Sequence, residues 1–340
     1  MQPASLSVAI VGAGNWGTTL AVMQAQAGRS VLLCTRDAQY AATLRRDREN
    51  RRSLPGVHFP TGLEVVAGFE RAAAAGVVVL AVASDYVRDT CAALAPALGT
   101  EAQLVSATKG LEQGSALRVS QIVAEVLPMH AASLCVLSGP NLASEIAAGL
   151  PAASVLASAD RAAAHAVSAL LATKRFRLYT TNDVIGVELG GSLKNVVALA
   201  AGICDGLGMG VNGKAAIVTR GMAEIVRLGQ ACGANPMTFA GLSGYGDLFA
   251  TCVSSSSRNH YVGERLGQGA ALAEILAGMN MVAEGVRTAP AAQLLAHRLQ
   301  VDMPITEQIC EVLFQGKDPR AAMDDLLSRL ARDERTGEIL

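Results

Sequence analysis

The stretch Val8-Ala9-Ile10-Val11-Gly12-Ala13-Gly14-Asn15-Trp16-Gly17, followed by the helix-compatible run Thr18 to Gln26, decides the fold class of this chain. A short apolar run enters a G-x-G-x-x-G turn and a helix-like run leaves it. That context separates a dinucleotide loop from the other turns of a chain that holds 34 glycines. Gly12 permits the tight turn, Gly14 lets the backbone approach a pyrophosphate, and Gly17 lets the helix pack close to the strand. The helix N-terminus then offers N–H groups and the positive end of its dipole to the phosphates. The plain alternative is an ordinary tight turn.

Working outward, short β-branched runs recur at Ser7 to Val11, Ser30 to Cys34, Gly76 to Ala83, Gln103 to Ala107, Leu134 to Ser138 and Ala153 to Ala157, with helix-compatible stretches between them. This alternation marks βαβ units and a mostly parallel sheet, and runs that are apolar throughout suit strands covered on both faces. From about Val184 the pattern changes to long helical periods broken by glycine pairs. The chain is therefore expected to be an α/β protein: an N-terminal Rossmann-like dinucleotide-binding domain over residues 1–182, then an all-helical C-terminal substrate domain over residues 183–340.

Composition narrows the function classes. At 340 residues with 51% hydrophobic and 17% charged residues, the chain lies far from the disordered regime and is long enough for two cores. Its formal charge of -1 supplies no bulk field for nucleic acid or an anionic membrane, so an anion must be captured locally. The charged stretch Arg45 to Arg52 interleaves acids with its arginines and has no aromatic residue, which points to a solvated helix face and not a nucleic-acid patch. Apolar stretches such as Ala72 to Ala83 are shorter than the roughly 18 to 20 residues that span a bilayer, so no membrane-spanning helix is expected. The first apolar run leads straight into the glycine loop and reads as a strand, not a signal, which gives a cytoplasmic expectation. Seven scattered cysteines without C-x-x-C, and five histidines without ligand spacing, suit reduced core thiols and no bound metal.

Where the second strand ends, at Cys34-Thr35-Arg36, an NAD-preferring site usually carries an acid for the ribose 2′-hydroxyl. Arg36 instead suits a 2′-phosphate, which gives NADP(H) as the preferred cofactor with NAD(H) also usable; a surface arginine opening the next helix is the alternative. Polar groups then collect in four segments. Lys109 follows a strand in Ala107-Thr108-Lys109-Gly110, and Ser138-Gly139-Pro140-Asn141 closes another, both aimed at the crevice beyond the strand ends. Lys194 and Asn195 follow the pair Gly190-Gly191 in an apolar helical run. Each glycine there costs about 1 kcal/mol relative to Ala, so the pair signals a close approach by backbone or ligand. A snorkelling lysine at a domain edge is the bland reading. Finally, the turn around Asp247 and the run Ser254 to Asn259 concentrate hydroxyls, N–H groups and a guanidinium suited to a phosphate, or else cap a helix and form a solvent loop.

These segments, as GAGNWGTTLA, ATKGLE, SGPNLASEIAAGLP, GVELGGSLKNVVALAAGICDGL, GLSGYGDLFATC, SSRN, VAEG and MPITEQI, occur in the order and spacing of a known family. The chain resembles the bacterial-type NAD(P)-dependent glycerol-3-phosphate dehydrogenases over nearly its whole length. The resemblance implies reversible reduction of dihydroxyacetone phosphate to sn-glycerol 3-phosphate, which feeds phospholipid synthesis. It makes Lys194 the catalytic acid and base and Lys109 a contact to both cofactor and substrate. Gly139, Asn141, Asp247, Ser257, Arg258 and Asn259 are implied substrate contacts, with Lys194 among them. Asn15, Trp16, Arg36, Ala143, Arg258, Val282 and Glu284 are implied cofactor contacts beside Gly12, Gly14 and Gly17.

Three positions depart from the family's usual pattern: Asn141 for Thr or Ser, Leu142 for an aromatic residue, and Tyr245 for an aliphatic one. None removes a charge. A β-hydroxyacid or 6-phosphogluconate type dehydrogenase shares the two-domain plan, but it needs a carboxylate site where this chain has SSRN. A noncatalytic NADP-binding sensor would not need Lys109, Lys194 and Asp247 together. A homodimer is the expectation from the prevalence of two-fold assemblies.

Arg36→Asp is expected to shift preference toward NADH by several-fold to about 100-fold, the scale of a charge-assisted contact of about 1.5 to 3 kcal/mol. Paired kcat/KM values with NADPH and NADH measure it, and unchanged discrimination would place the 2′-phosphate contact elsewhere.

Overall fold

A computed structural model describes residues 8–279 and 283–329 of the chain. In the first half the strands are β1 (Val8–Val11), β2 (Val31–Thr35), β3 (Glu49–Asn50), β4 (Leu54–His58), β5 (Leu63–Ala67), β6 (Val77–Leu80), β7 (Gln103–Ser106), β8 (Cys135–Ser138), β9 (Ala152–Ala157) and β10 (Phe176–Thr181). Eight of them form one sheet in the order β10-β9-β8-β7-β6-β1-β2-β5, while β3 and β4 make a separate antiparallel hairpin. Every pairing in the large sheet is parallel except β8 with β9. From β1 the chain runs outward to β2 and β5, then crosses back to β6 on the other side of β1. The strand order reverses between β1 and β6, the place where an open α/β sheet leaves a crevice beyond its strand ends.

Alternating residues of each strand feed opposite faces. Val8 and Ile10 pack with α1 (Asn15–Gln26), α2 (Ala38–Asp47) and, farther along the sheet, α6 (Arg161–Leu171). Ala9 and Val11 face the other layer, which holds α3 (Val87–Leu94) and α4 (Val119–Val126). The short α5 (Ala143–Ala147) follows β8 and lies against α1. Double coverage is why these strands are apolar runs without polar alternation.

Three elements escaped the sequence pattern. β5 and β10 carry charged and polar residues because one flank of each is an open sheet edge. The stretch Arg45 to Arg52 is helical only to Asp47; Arg48 then adopts φ 51, and Glu49 starts the hairpin. The arginines of the stretch are exposed as expected, and only the expected helix is corrected, ending at Asp47. Asn50 is fully buried and donates to the Ala13 carbonyl at 3.0 Å and to Thr18 Oγ1 at 2.8 Å, so the hairpin is pinned beneath the glycine loop.

The described residues of the second half contain no strand, and their α-helices are α7 (Val184–Gly206), α8 (Gly210–Ala231), α9 (Asp247–Val253), α10 (Arg258–Gly267), α11 (Leu272–Ala277), α12 (Glu284–Leu299), α13 (Pro304–Phe314) and α14 (Pro319–Leu327). α7 is its axle. Leu199 and Ile203 join one apolar cluster with α10, α12 and α13, while Leu189, Leu193 and Val197 join another with α8, α9 and Phe239. A helix buried on every side is apolar on every side. For the same reason α7 is the one described helix long and apolar enough to cross a membrane, although 89% of that window is buried inside the protein.

α7 and α10 touch backbone to backbone. A Cβ on Gly202 would lie 2.1 Å from the His260 carbonyl oxygen, and one on Gly263 would lie 2.0 Å from that of Leu199. Gly202→Ala is therefore expected to cost about 1 to 3 kcal/mol or more, since neither helix can yield without moving its core layer. A lowered thermal midpoint measures this against Gly99→Ala, where an added Cβ meets nothing within 4 Å.

Candidate functional site

A cleft of about 530 Å³ opens where β1, β6, β7 and β8 end and α7, α9, α10 and α12 face them. Its N-terminal wall is the glycine loop. Gly12 has φ +119 and an added Cβ there would lie 2.4 Å from the Ala81 carbonyl oxygen, while one on Gly17 would lie 2.0 Å from the Gly12 carbonyl oxygen. Both glycines sit behind the cleft and let β1, α1 and the end of β6 converge. Gly14 forms the opening itself: it precedes α1 without a side-chain cap, and a Cβ there would meet nothing within 4 Å. The first turn of α1 therefore points its N–H groups into open space, the arrangement that takes a pyrophosphate.

Buried polar atoms without protein partners line the same wall. Asn15 Oδ1, Trp16 Nε1 and Asn141 Nδ2 are enclosed and unpaired, whereas Asn141 Oδ1 accepts from Ser154 Oγ at 2.5 Å. Unmet hydrogen-bonding groups at a cleft wall mark where a ligand supplies the partners. At the far end Arg36 lies 4.6 Å over the Tyr86 ring, and Arg52 lies 5.9 Å over that of Tyr40. Asp37 caps α2 by accepting from the Gln39 and Tyr40 N–H groups. The result is a slot that has two guanidiniums on aromatic platforms at one end and the N-terminus of α1 along its wall. This fits a nicotinamide dinucleotide.

The opposite end is built around one carboxylate. Asp247, at the start of α9, is 1% exposed; its Oδ1 lies 2.6 Å from Lys194 Nζ and its Oδ2 lies 2.6 Å from Lys109 Nζ. Lys109 also donates to the Gly139 carbonyl at 3.0 Å, and Lys194 to Thr251 Oγ1 at 2.5 Å. Burial holds the Lys194 ammonium below the ordinary lysine range; Asp247 opposes that shift and Lys109 reinforces it. The glycine pair one turn earlier makes room, with Gly190 against the backbone of Ser243 and Gly191 against Ser138 Oγ and the stem of Lys109.

Of the residues expected from the sequence, Gly14, Asn15, Trp16, Arg36, Lys109, Asn141, Ala143, Lys194, Ser257, Arg258, Asn259 and Glu284 line this one cleft. Gly12, Gly17, Gly139 and Asp247 stand immediately behind it. Val282 lies outside the described residues. Two side chains already have partners that the sequence did not indicate. Asn259 donates to Asn195 Oδ1 at 2.9 Å and accepts from the Gly285 N–H at 2.8 Å, and Ser257 caps α10 by accepting from the His260 N–H at 3.2 Å.

The sequence reading missed Thr251, Tyr40, Tyr86, Arg52 and Ser53, all of which line the cleft. Thr251 had a signal, since it stands one helical turn after Asp247 and also bonds back to its carbonyl at 2.7 Å. The others reach the cleft from separate turns, and no local pattern marks them.

Comparison with known proteins agrees with this geometry. The family described as NAD-dependent glycerol-3-phosphate dehydrogenase matches the chain with its N-terminal part over residues 7–164 and its C-terminal part over residues 183–324. The chain is 48% identical to a glycerol-3-phosphate dehydrogenase of Geobacter metallireducens, across 96% of this chain and 98% of that protein. It is 47% identical to one of Desulfitobacterium hafniense, across 96% and 92% respectively. The crystal structure of glycerol-3-phosphate dehydrogenase from Coxiella burnetii superposes with a TM-score of 0.92 at 34% identity, across 96% of this chain and all of that one. Two family matches, near-complete relatives and a cleft that joins a dinucleotide loop to a buried lysine agree, and the chain belongs to the NAD(P)-dependent glycerol-3-phosphate dehydrogenases.

Proposed function

We propose that Lys194 is the proton donor and acceptor for the interconversion of dihydroxyacetone phosphate and sn-glycerol 3-phosphate. The observation that carries this is the placement of its Nζ between Asp247 and Thr251, 7% exposed and on the wall of the dinucleotide cleft. The nicotinamide dinucleotide supplies or accepts the hydride when bound. Lys194 gives a proton to the carbonyl oxygen as the ketone is reduced and takes it from the hydroxyl in the reverse direction. A lysine at its ordinary pKa of about 10.4 is too reluctant a donor and too rarely free as a base, so its burial serves both directions. Asp247 acts through the two lysines: it fixes the ammonium and limits the downward shift. Lys109 adds positive charge beside the developing oxyanion.

At the phosphate end we assign the Arg258 guanidinium, the Ser257 hydroxyl and the first turn of α10 to the substrate phosphate. Asn259 serves there through its backbone, because its amide already ties α10 to α7 and α12. Asn141 Nδ2, unpaired and facing the cleft, is assigned to the substrate, and Ala143 and Glu284 to the cofactor. NADP(H) preference rests on Arg36 with Arg52 beside it. In this reading residues 1–182 hold the nucleotide and residues 183–340 the triose phosphate, with 330–340 outside the described residues. The product supplies phospholipid synthesis, and a cytoplasmic homodimer completes the assignment. Purified protein mixed with NADPH and dihydroxyacetone phosphate, followed by absorbance of the reduced cofactor, tests the activity directly.

The titration of Lys194 has a definite sign. Reduction uses its ammonium and falls as pH rises through a pKa below 10.5, whereas oxidation uses the free amine and rises through the same value. Asp247→Asn removes the charge that raises this pKa, so both limbs should move to lower pH. Lys194→Ala should cut turnover by about 100-fold or more while NADPH binding stays nearly intact. Rate profiles against pH in both directions, with NADPH titrated in parallel, check these points.

Arg258→Ala should weaken dihydroxyacetone phosphate capture by about 2 to 4 kcal/mol and change the small activity on unphosphorylated dihydroxyacetone much less. Equal loss on both ketones with unaltered NADPH affinity would move the phosphate to Lys109.

A further inference from the structure

A second cavity of about 560 Å³ lies away from the catalytic cleft, at the C-terminal ends of α1 and α5 and the turn that leads into β10. Three cations line it, Arg29, Lys174 and Arg175, and no carboxylate is among its described lining residues. In a chain of net charge -1 that is a local excess of positive charge with nothing in the cavity to offset it. Lys174 and Arg175 are exposed at the rim. Arg29 is set deeper: its Nη2 donates to the Ala172 carbonyl at 3.3 Å, while its Nη1 is buried with no partner. Burial lowers the pKa of this guanidinium, which marks it as partly desolvated without a counter-ion. Unmet buried donors call for an acceptor, and an anion is the acceptor that also offsets the charge.

Gln26 and Thr173 add neutral polar groups, and the other side chains of the lining are apolar. Met23, Ile146 and Phe176 are buried there, and Leu150 is 50% exposed at the edge. The volume falls within the range of cavities that enclose small organic ligands. An inorganic anion alone would leave the exposed Leu150 side chain wet, whereas a molecule with an anionic head and a short apolar body also covers that edge.

One ring contact links the wall of this cavity to the wall of the catalytic cleft. Phe176 packs on Trp16 with ring centroids 6.4 Å apart, and Trp16 lines the dinucleotide cleft. The same two helices serve both places: α1 carries Asn15 at one end and Met23 near the other, and α5 carries Ala143 and Ile146.

We infer that this cavity is a binding site for a small anionic amphiphile, its head held by Arg29, Lys174 and Arg175 and its apolar part covering Leu150 at the edge, over the wall that Ile146 and Phe176 complete, so that occupancy is felt at Trp16.

Trp16 is the sole tryptophan of the chain, so its emission reports the site. Monomeric decyl phosphate, decanol and inorganic phosphate are titrated into the full-length protein by calorimetry and by tryptophan emission. Decyl phosphate should bind saturably and shift the emission over the same concentration range, with decanol and inorganic phosphate each at least about 10-fold weaker. The double variant Lys174→Glu with Arg175→Glu should weaken decyl phosphate by at least about 10-fold, the scale of one charge-assisted contact, with dehydrogenase activity retained. Arg29→Gln should weaken it from within the cavity. With NADPH present, the apparent Kd for decyl phosphate should reach a plateau as NADPH rises.

Four results would overturn the site. One is a Kd that climbs without limit as NADPH rises, because the ligand then sits in the dinucleotide cleft. Another is equal binding by decanol or by the double variant. A third is saturable binding that leaves the emission unmoved, and the last is capture by phosphatidylglycerol vesicles with no uptake of monomeric decyl phosphate, which would make this face a membrane contact.

Discussion

The carboxylate of Asp247 holds the two halves of this molecule in working register. It takes Lys109 from the end of β7 on one oxygen and Lys194 from the middle of α7 on the other. A buried ion cluster of this kind is poor ground for stability, because desolvation of each charge offsets much of the attraction. Its value lies in position and in sign. Two lysines share one carboxylate at the inner end of the cleft, so the basic side chains there outnumber the acidic one. The same geometry settles a competition among opposing influences on Lys194. Burial and Lys109 push its pKa down, Asp247 pushes it up, and the downward influences prevail.

That arrangement depends on small residues more than on large ones. Gly190 and Gly191 let the start of α7 lie against the Ser243 backbone and the strand-end loop, so that Lys194 emerges at the cleft floor and not above it. One further contact holds α10, and with it Ser257 and Arg258, against the middle of α7, where Gly202 and Gly263 each face a carbonyl of the other helix. Ser257, Arg258 and Lys194 are thus held on one rigid axle. On the nucleotide side the hairpin contributes in the same manner: Asn50 ties the glycine loop to α1, and the chain after it delivers Arg52 and Ser53 to the cofactor end.

The two cavities use a common physical device. Each is lined by buried polar atoms that the protein itself does not satisfy, Asn15 Oδ1, Trp16 Nε1 and Asn141 Nδ2 in one and Arg29 Nη1 in the other. The ring contact between Trp16 and Phe176 links their walls.

Much of this was determined by the sequence alone. The strand–glycine loop–helix of residues 8–26 specifies its own local conformation, because only glycine tolerates φ +119 at Gly12 and the close approach at Gly17. Strands buried on both faces announce themselves as apolar runs, and the resemblance of whole segments carried the chemistry with them. What the sequence left undecided were contacts between distant segments. β5 and β10 are edge strands whose polar residues hide their period, and β9 runs antiparallel to β8 without any local mark of direction. Arg52 and Tyr86 meet at one cleft although they stand on separate turns, Asn259 gives its amide to α7 and α12, and Asp247 faces lysines 138 and 53 residues away. Local propensity is fixed by neighbours along the chain, whereas desolvation, ion pairing and unmet hydrogen bonds depend on neighbours in space. Only the tertiary structure decided those.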